Sequence, residues 1–449
     1  LDRSSAASDV YKRQALPISS FSKENFLSLC DRFAEVPYTH ILYSGGSYTT
    51  SVRSYLAIFP IKNIVIKQED PNPWDILKKS IGIFSEQNER IPKWMGFISY
   101  PMGETSDKDK VIPMMKTSFP VAQFHLYSYV FIYDDENHSL QLYWENGEND
   151  EWLFTFQSSA FWKDIQNHTV HTKDKFLIEE CVMGESRLCY NKKISDIFDL
   201  MRRGIVYQLN YSHKFVLRSN KSPFSVFITL IHKNPAPFSS YYYSPHFSII
   251  SSSPELFLKK EGRILETRPI KGTAKRGKTK KSDRQNYNYL VESEKECAEL
   301  AMITDLMRND LGKVSEIGSV RVIEPARIEA YTNVFQKFSI IQSYAKKNLH
   351  SLDVIRACFP GGSITGCPKL KAMETINMME EDSRDIYTGS IGMFFANGDF
   401  IFNIAIRTIL FQNDLITFRL GGGIVIDSIP EQEYLETIAK GESILQSLL

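Results

Sequence analysis

Lys271 lies in the stretch Glu266-Thr267-Arg268-Pro269-Ile270-Lys271-Gly272-Thr273, between an apolar residue and a Gly-Thr turn, a setting in which a lysine can act as a nucleophile. Its ordinary pKa is about 10.4, so presenting a free amine at pH 7 takes roughly 4 to 5 kcal/mol of desolvation or charge repulsion. A pocket supplies that, although a surface lysine in a basic loop would have the same sequence neighbours. A strand predicted over 263–266 and the fixed φ of Pro269 give the amine a rigid support. A second group of charges closes the chain. Glu433, Glu436 and Lys440 stand at i, i+3 and i+7 of a predicted helix opened by Pro430, so two carboxylates and an ammonium share one face. An exposed salt-bridging helix has the same pattern. Another predicted helix carries Glu296 and Glu299 one turn apart, just before the apolar run 300–303. Carboxylates from two helices suit Mg²⁺, which takes few protein oxygens and leaves positions for substrate.

Three further elements suit an anionic ligand. Arg407 falls in an alternating segment, 400–410, facing away from Phe402, Ile404 and Ile406, where it can fork a carboxylate. Gly421-Gly422-Gly423 follows a strand, and consecutive glycines let backbone N–H groups approach an anion, or simply make a tight turn. The segment 361–369 (GGSITGCPK) opens a helix, and its N-terminus with the hydroxyls of Ser363 and Thr365 offers donors, as a capped loop also would. Residues 272–279 (GTAKRGKT) match a phosphate-loop pattern, but the polar KKSDRQN follows in place of an apolar-periodic helix, which argues against nucleotide binding. The basic residues around it read as a solvated loop.

The elements that must position these groups form an α/β (α+β) pattern. Residues 39 to 144 give short β-rich runs with one helix near 73–84, the polar stretch 145–180 reads as a connection, and a second unit begins near 181. There a helix over 190–203 leads into a strand over 206–217, and a long helix is predicted over 286–311. The expected organisation is a β-rich N-terminal portion over 15–150 and a catalytic portion over 181–449. Residues 1–14 (LDRSSAASDVYKRQ) look like a non-native extension without the apolar stretch of a signal peptide. With 449 residues, 43% of them hydrophobic, and no net charge, the chain can bury a large core and has no bulk attraction for nucleic acid or anionic membranes. No apolar run reaches the length of a membrane span. Six cysteines (30, 181, 189, 297, 358 and 367) form no CxxC pair, which fits free thiols and a cytoplasmic location.

Over about residues 184 to 448, the stretches SSSPELFL, ETRPIKGTAKRG, ECAELAMITDLMRNDLGKV, PGGSITGCPKLKAME, YTGSIGMF, NIAIRTIL, GGGIVIDS and EYLETIAK resemble the chorismate-utilising enzymes. Within that family the resemblance is strongest to the aminodeoxychorismate synthases. It implies a large two-sheet β-sandwich flanked by helices, with chorismate bound through Mg²⁺. By resemblance, Glu299 and Glu436, with Glu433 close by, hold the metal, and Arg407, Lys440 and Gly421 to Gly423 bind carboxylates. Thr273, Ser363 and Thr365 line the substrate site. Glu255, in Ser253-Pro254-Glu255, matches the general acid that protonates the departing C4 hydroxyl. That role demands a carboxyl still protonated near pH 7, an upward shift worth roughly 3 to 4 kcal/mol.

Two positions separate the relatives. Enzymes of the family that add water to chorismate carry a lysine base where this chain has Gln208, and a glutamine cannot take a proton from water. Anthranilate synthases have alanine in the place of Lys271. The resemblance therefore implies amination of chorismate to 4-amino-4-deoxychorismate through a covalent lysine, for 4-aminobenzoate and folate synthesis. It implies ammonia from a separate glutamine amidotransferase subunit, since no G-x-C-x-G motif is visible. The alternatives are an anthranilate synthase component and, in another class, a catalytically silent chorismate- or tryptophan-binding subunit. Gln336 stands where many relatives have a histidine that contacts the substrate ring. Ser44, Pro235 and Phe238 resemble walls of a tryptophan pocket.

Overall fold

The computed structural model describes residues 12–15, 20–46, 53–84, 90–107, 110–144, 151–170, 178–182 and 184–448. Its alternating apolar segments form strands joined in one antiparallel network. The branch point is Ala122–Asp134, which bonds with Arg53–Ile66, Pro92–Ile98 and Ser139–Trp144. One limb runs from Pro92–Ile98 through Ser390–Phe395, Phe400–Asn403, Leu256–Glu261 and Ile264–Arg268 to Val334–Tyr344. The other runs from Arg53–Ile66 through His40–Tyr43, Phe238–Tyr243, Ser248–Ser253, Thr408–Gln412 and Leu415–Val425 to Gln208–Ser219.

Period-two alternation turns these limbs into a sandwich. Phe97 and Ile391 of the first limb pack against Tyr242, Ile249 and Leu410 of the second. Residues an odd number of positions away point the other way, Ile98 and Phe394 into one outer cluster and Ile250 and Ile409 into another. Helices cover both outer clusters: Lys23–Phe33, Ser159–Asn167, Pro223–Lys233 and Pro430–Leu448 on one side, and Pro73–Ile81, Glu294–Val314 and Ser351–Cys358 on the other. The arrangement is α+β, a large antiparallel sheet system flanked by helices. The segments 15–150 and 181–449 are interleaved, because His40–Tyr43 pairs with Phe238–Tyr243 and Pro92–Ile98 with Ser390–Phe395. Residues 1–11 of the N-terminal stretch lie outside the described residues, and Lys12–Ala15 pairs with Ser139–Trp144.

Six elements carry the site: strands β1 (Gln208–Ser219), β2 (Ile270–Lys275), β3 (Val334–Tyr344) and β4 (Leu415–Val425), and helices α1 (Glu294–Val314) and α2 (Pro430–Leu448). Ser293 caps α1 by accepting from Glu296 N, and Leu300, Ile303, Met307, Leu311 and Val314 form its buried stripe. On α2 the buried residues Glu433, Thr437, Gly441 and Ile444 recur at helical spacing, and a Cβ on Gly441 would lie 2.4 Å from Leu420 Cδ1 of β4. The absent side chain lets α2 lie close on the strand.

Several expectations are corrected. The connection over 145–180 contains helices Glu151–Gln157 and Ser159–Asn167, because Phe156, Trp162 and Ile165 dock into the core. The long helix over 286–311 is two helices, Lys280–Glu292 and α1, broken at Ser293, which ends one and caps the other. Lys280, Lys281 and Arg284 therefore stand on a helix capped by Thr279 and not in a loop. The phosphate-loop pattern is filled by protein: the Gly277 N–H donates to Asp283 Oδ1 and Arg276 forks the same carboxylate. The strand over 400–410 is interrupted at Ile404–Arg407, and Arg407 adopts φ +50 in the break. Gly421 to Gly423 make no turn; they lie inside β4, opposite Ser212, Tyr211 and Asn210 of β1.

A buried ionic cluster fixes β1 to the loop after Gly361. Glu380 meets Arg384 at 2.6 Å and Arg419 at 2.9 Å, and accepts from the backbone and hydroxyl of Ser212. Burial pushes its carboxyl up, but the two guanidiniums outweigh that and hold it below the ordinary value. Arg384 also donates to the carbonyls of Asn210 at 2.6 Å and Ile364 at 3.0 Å. Glu380→Ala leaves two buried cations without a counter-charge and is expected to cost about 3–5 kcal/mol of stability in urea unfolding. A loss below about 1 kcal/mol would remove this cluster from the determinants of the fold.

Candidate active site

Strand β2 bulges against β3 between Ile270 and Thr273, with Gly272 at φ +91. The Lys271 Nζ lies 3.0 Å from the point where a Cβ on Gly423 would stand, and the Gln208 amide nitrogen lies 2.7 Å from the same point. Any larger residue at 423 would push both away. Burial lowers the Lys271 amine below its ordinary pKa; the Glu299 charge opposes this, Lys440 reinforces it, and Glu255 and Glu436 oppose it further. Gln208 is fully buried, and neither of its amide atoms has a hydrogen-bond partner among the described residues. An unpaired buried amide beside a lysine is a contact available to a bound molecule.

Glu255 follows the strand Ser248–Ser253 and is 4% exposed. It accepts a 2.5 Å hydrogen bond from Ser363 Oγ, and its backbone carbonyl accepts from Ile404 N. Burial raises its carboxyl to about 7, against the smaller opposing effects of the Ser363 hydroxyl, the Lys271 charge and the Ile270 backbone N–H. A carboxyl at this value can hold a proton at neutral pH and give it up during a reaction.

Helices α1 and α2 bring the acidic residues together. Glu299 and Glu433 have side chains 14% and 6% exposed, and the Lys295 ammonium lies between them, 3.9 Å from Glu299 Oε1 and 3.8 Å from Glu433 Oε1. Burial raises the carboxyls of Glu299, Glu433 and Glu296, and Glu436 adds to the rise in each. Glu436 is more exposed and forms a 2.7 Å pair with Lys440, whose charge holds its carboxyl below the ordinary value. Lys440 also donates to the Gly421 carbonyl at 3.3 Å. Among the described residues no three Asp, Glu, His or Cys side chains form a ready-made metal cage. The donors are nevertheless hard oxygens carrying excess negative charge away from water, which fits Mg²⁺, an ion satisfied by one or two carboxylates plus substrate and water.

The remaining candidates are placed as follows. Gln336 is buried on β3 opposite Thr273, with its carbonyl oxygen unpaired, whereas Thr273 itself is exposed. The Thr365 hydroxyl donates to the Gly361 and Gly362 carbonyls, so it braces the loop. Arg407 donates to Asn234 Oδ1 at 3.3 Å, and its own carbonyl accepts from Ser252 N, three residues before Glu255. Its positive φ is strained for a side chain of this size, and such strain gathers at functional positions. Ser44 and Pro235 meet through their neighbours: Gly45 N donates to the Ala236 carbonyl, and a Gly45 Cβ would lie 3.5 Å from Pro235 Cα. Phe238 pairs with Ser253 in the adjoining strand.

Sequence reasoning missed Lys295 as a member of the cluster and the Glu380–Arg384–Arg419 brace behind the site. Lys295 stands four residues before Glu299, but that spacing acquires meaning only once α2 lies alongside.

The raised Glu255 carboxyl ties stability to pH. The folded state holds this proton more tightly than the unfolded chain, so the contribution is full below about pH 4.5 and is lost as pH rises through about 7. The shift corresponds to about 3 kcal/mol. Glu255→Gln removes the ionisation, so its stability relative to the parent is expected to rise between those pH values in urea unfolding. A difference independent of pH would contradict the raised value.

Residues 38–446 match the family model described as chorismate binding enzyme. The Bacillus subtilis (strain 168) protein named aminodeoxychorismate synthase component 1 is 33% identical over 459 residues, covering 95% of each chain. An anthranilate synthase component 1 of Haloarcula marismortui is 39% identical over 286 residues, 64% of this chain and 56% of that protein. Among solved structures, anthranilate synthase component I from Streptococcus pneumoniae TIGR4 superposes with a TM-score of 0.72 at 26% identity, covering 89% of this chain and 93% of that one. No helix among the described residues is long and apolar enough to cross a membrane, and Cys30, Cys189, Cys297, Cys358 and Cys367 form no disulfide. With nearly the whole length matched, the chain belongs to the chorismate-binding enzyme family.

Proposed function

We propose that this enzyme aminates chorismate to 4-amino-4-deoxychorismate. The observation that carries this reading is the pairing of a half-buried lysine, its pKa lowered by desolvation, with a carboxyl raised to about 7, the two close enough to influence each other. The Lys271 Nζ forms a bond at C2 as the bond from C4 to its hydroxyl breaks, and Glu255 gives its proton to the departing oxygen, releasing water. Ammonia then bonds to C4 as the C2–N bond breaks, and its surplus proton returns to the site. The net change is loss of water and gain of ammonia. Two displacements at a desolvated amine replace one difficult substitution.

Glu299, Glu433 and Glu436 would hold Mg²⁺, which supplies positive charge for a substrate carboxylate. Arg407 and Lys440 offer further cations, and the amides of Gln208 and Gln336 offer hydrogen bonds to the ring substituents. The bare face at Gly423 leaves room for the lysine and the glutamine together. Ammonia would come from a separate glutamine amidotransferase subunit, and the product would feed 4-aminobenzoate and folate synthesis. The relatives named component 1 favour such a partner.

The test is incubation of the purified chain with chorismate, Mg²⁺ and ammonium at alkaline pH, where more of the ammonium is free ammonia. Aminodeoxychorismate that becomes 4-aminobenzoate only when a lyase is added supports the proposal; anthranilate and pyruvate would assign the other amination. Lys271→Ala is expected to lower turnover by roughly 10²-fold or more at limiting ammonia, and Gly423→Ala to do so by misplacing Lys271. Unchanged turnover in Lys271→Ala would eliminate the covalent route. Glu299→Gln is expected to raise the Mg²⁺ concentration needed for half-maximal activity by about tenfold or more, and to weaken Mg²⁺ binding in calorimetry to match. Equal binding would take Glu299 out of the metal set.

A further inference from the structure

Lys337 is the anomaly among the buried lysines. It lies on β3 beside Gln336 and is 1% exposed. Its Nζ has one hydrogen-bond partner among the described residues, the Sγ of Cys297 on α1 at 3.1 Å, and no carboxylate within salt-bridge distance. Outside the candidate active site, two other lysines with little exposure meet oxygen. Lys369 meets Asp310 and the carbonyls of Cys358 and Pro360, and Lys221 donates to the Ser447 carbonyl. A thiol is a poor acceptor, so a sulfur as the one hydrogen-bond partner is unusual for a lysine this deeply buried. Cys297 is also the one exposed cysteine among those described; Cys30 and Cys358 are buried, and Cys189 and Cys367 are intermediate. An oxidant in solution can therefore reach the sulfur, while the amine waits behind it on the protein side.

We propose that Cys297 and Lys337 form a reversible, peroxide-dependent sulfur–nitrogen cross-link. In the first step the Cys297 sulfur attacks hydrogen peroxide, giving a sulfenic acid and water; sulfur loses two electrons and the peroxide gains them. In the second step Lys337 releases one proton to solvent, its Nζ lone pair attacks Sγ, the N–S bond forms, the S–O bond breaks, and the hydroxide leaves as water with a second proton from the amine. Two equivalents of a thiol reductant reverse the link, returning the free amine and free thiol and giving one disulfide of the reductant. At 3.1 Å the two atoms are already at near-attack separation, so capture competes with further oxidation of the sulfur.

The bond would staple α1 to β3 at a sensitive place. Cys297 lies between Glu296 and Glu299, and Lys337 adjoins Gln336, which faces Thr273 across the bulge that carries Lys271. The cross-link does not depend on which reaction the site performs; its effect on turnover rests on the reading above.

The full-length chain is treated with low hydrogen peroxide, blocked with an alkylating agent, digested and read by tandem mass spectrometry, alongside Cys297→Ser and Lys337→Met. The expected result is a linked peptide pair joining Cys297 and Lys337, lighter than the two free peptides by two hydrogens, absent from both variants and lost on thiol reduction. Chorismate consumption should fall roughly tenfold in the oxidised parent, recover on reduction, and stay unaffected by peroxide in Cys297→Ser. A Cys297 sulfenic or sulfinic acid with Lys337 unmodified would overturn the proposal, as would a Cys297 that peroxide leaves intact. A linked peptide without loss of chorismate consumption would uphold the cross-link and sever it from the active site. Lys337→Met replaces a buried ammonium with an apolar chain of similar length, and circular dichroism of that variant establishes that the missing link is not misfolding.

Discussion

The constraint on which the site depends is charge held away from water. Lys271 and Glu255 are each pushed toward their neutral forms by burial, in opposite pKa directions, and each tempers the shift of the other. Neither value would exist on a surface. Glu296 and Glu299 of α1 and Glu433 of α2 face the same pressure and are raised by burial and by the charge of Glu436, with the Lys295 ammonium between Glu299 and Glu433. The cleft therefore collects groups whose burial disfavours their charged forms, and within it Glu255, raised to about 7, suits proton transfer.

The scaffold makes that collection possible by putting each group on a regular element. β1 and β4 are bonded over eleven consecutive pairs, from Leu415 opposite Arg218 to Val425 opposite Gln208. Two glycines of β4 leave it bare of side chains where these groups approach, Gly422 beside Glu433 and Lys440 and Gly423 beside Lys271 and Gln208. Behind it, Glu380 with Arg384 and Arg419 uses buried charge for position rather than chemistry. Its acceptors and donors are fully matched, and two of its hydrogen bonds hold the Asn210 and Ile364 carbonyls on either side of the site. Buried pairs of this kind add little net stability but penalise any other arrangement.

The fold class was legible because period-two runs and amphipathic stripes leave a local trace. The helix at Pro73–Ile81 and the closing hairpin at Thr408–Val425 follow from such patterns and from a turn at Asn413. The misreadings came where tertiary contacts override local polarity. Residues 151–167 fall in the stretch expected to be a polar connection yet are helical, since Phe156, Trp162 and Ile165 dock into the core. The strand through Arg407 breaks because its backbone is diverted to hydrogen bonds with Glu255 and Ser252. The glycine triplet reads locally as a turn and becomes strand only through its pairing with β1.

By itself the sequence determined the kinds of chemistry present: a lysine beside a Gly-Thr step, carboxylates spaced along two helices, an arginine and a glycine triplet. It also determined the family resemblance that those motifs carry. Only the tertiary structure decided their environment. Whether Lys271 is desolvated, whether Glu255 holds a proton, whether Lys295 joins the acidic cluster and whether Lys337 meets Cys297 all depend on residues tens to hundreds of positions apart. A pKa or an interatomic contact is a property of the surroundings in space, and local sequence encodes only the side chain that enters them.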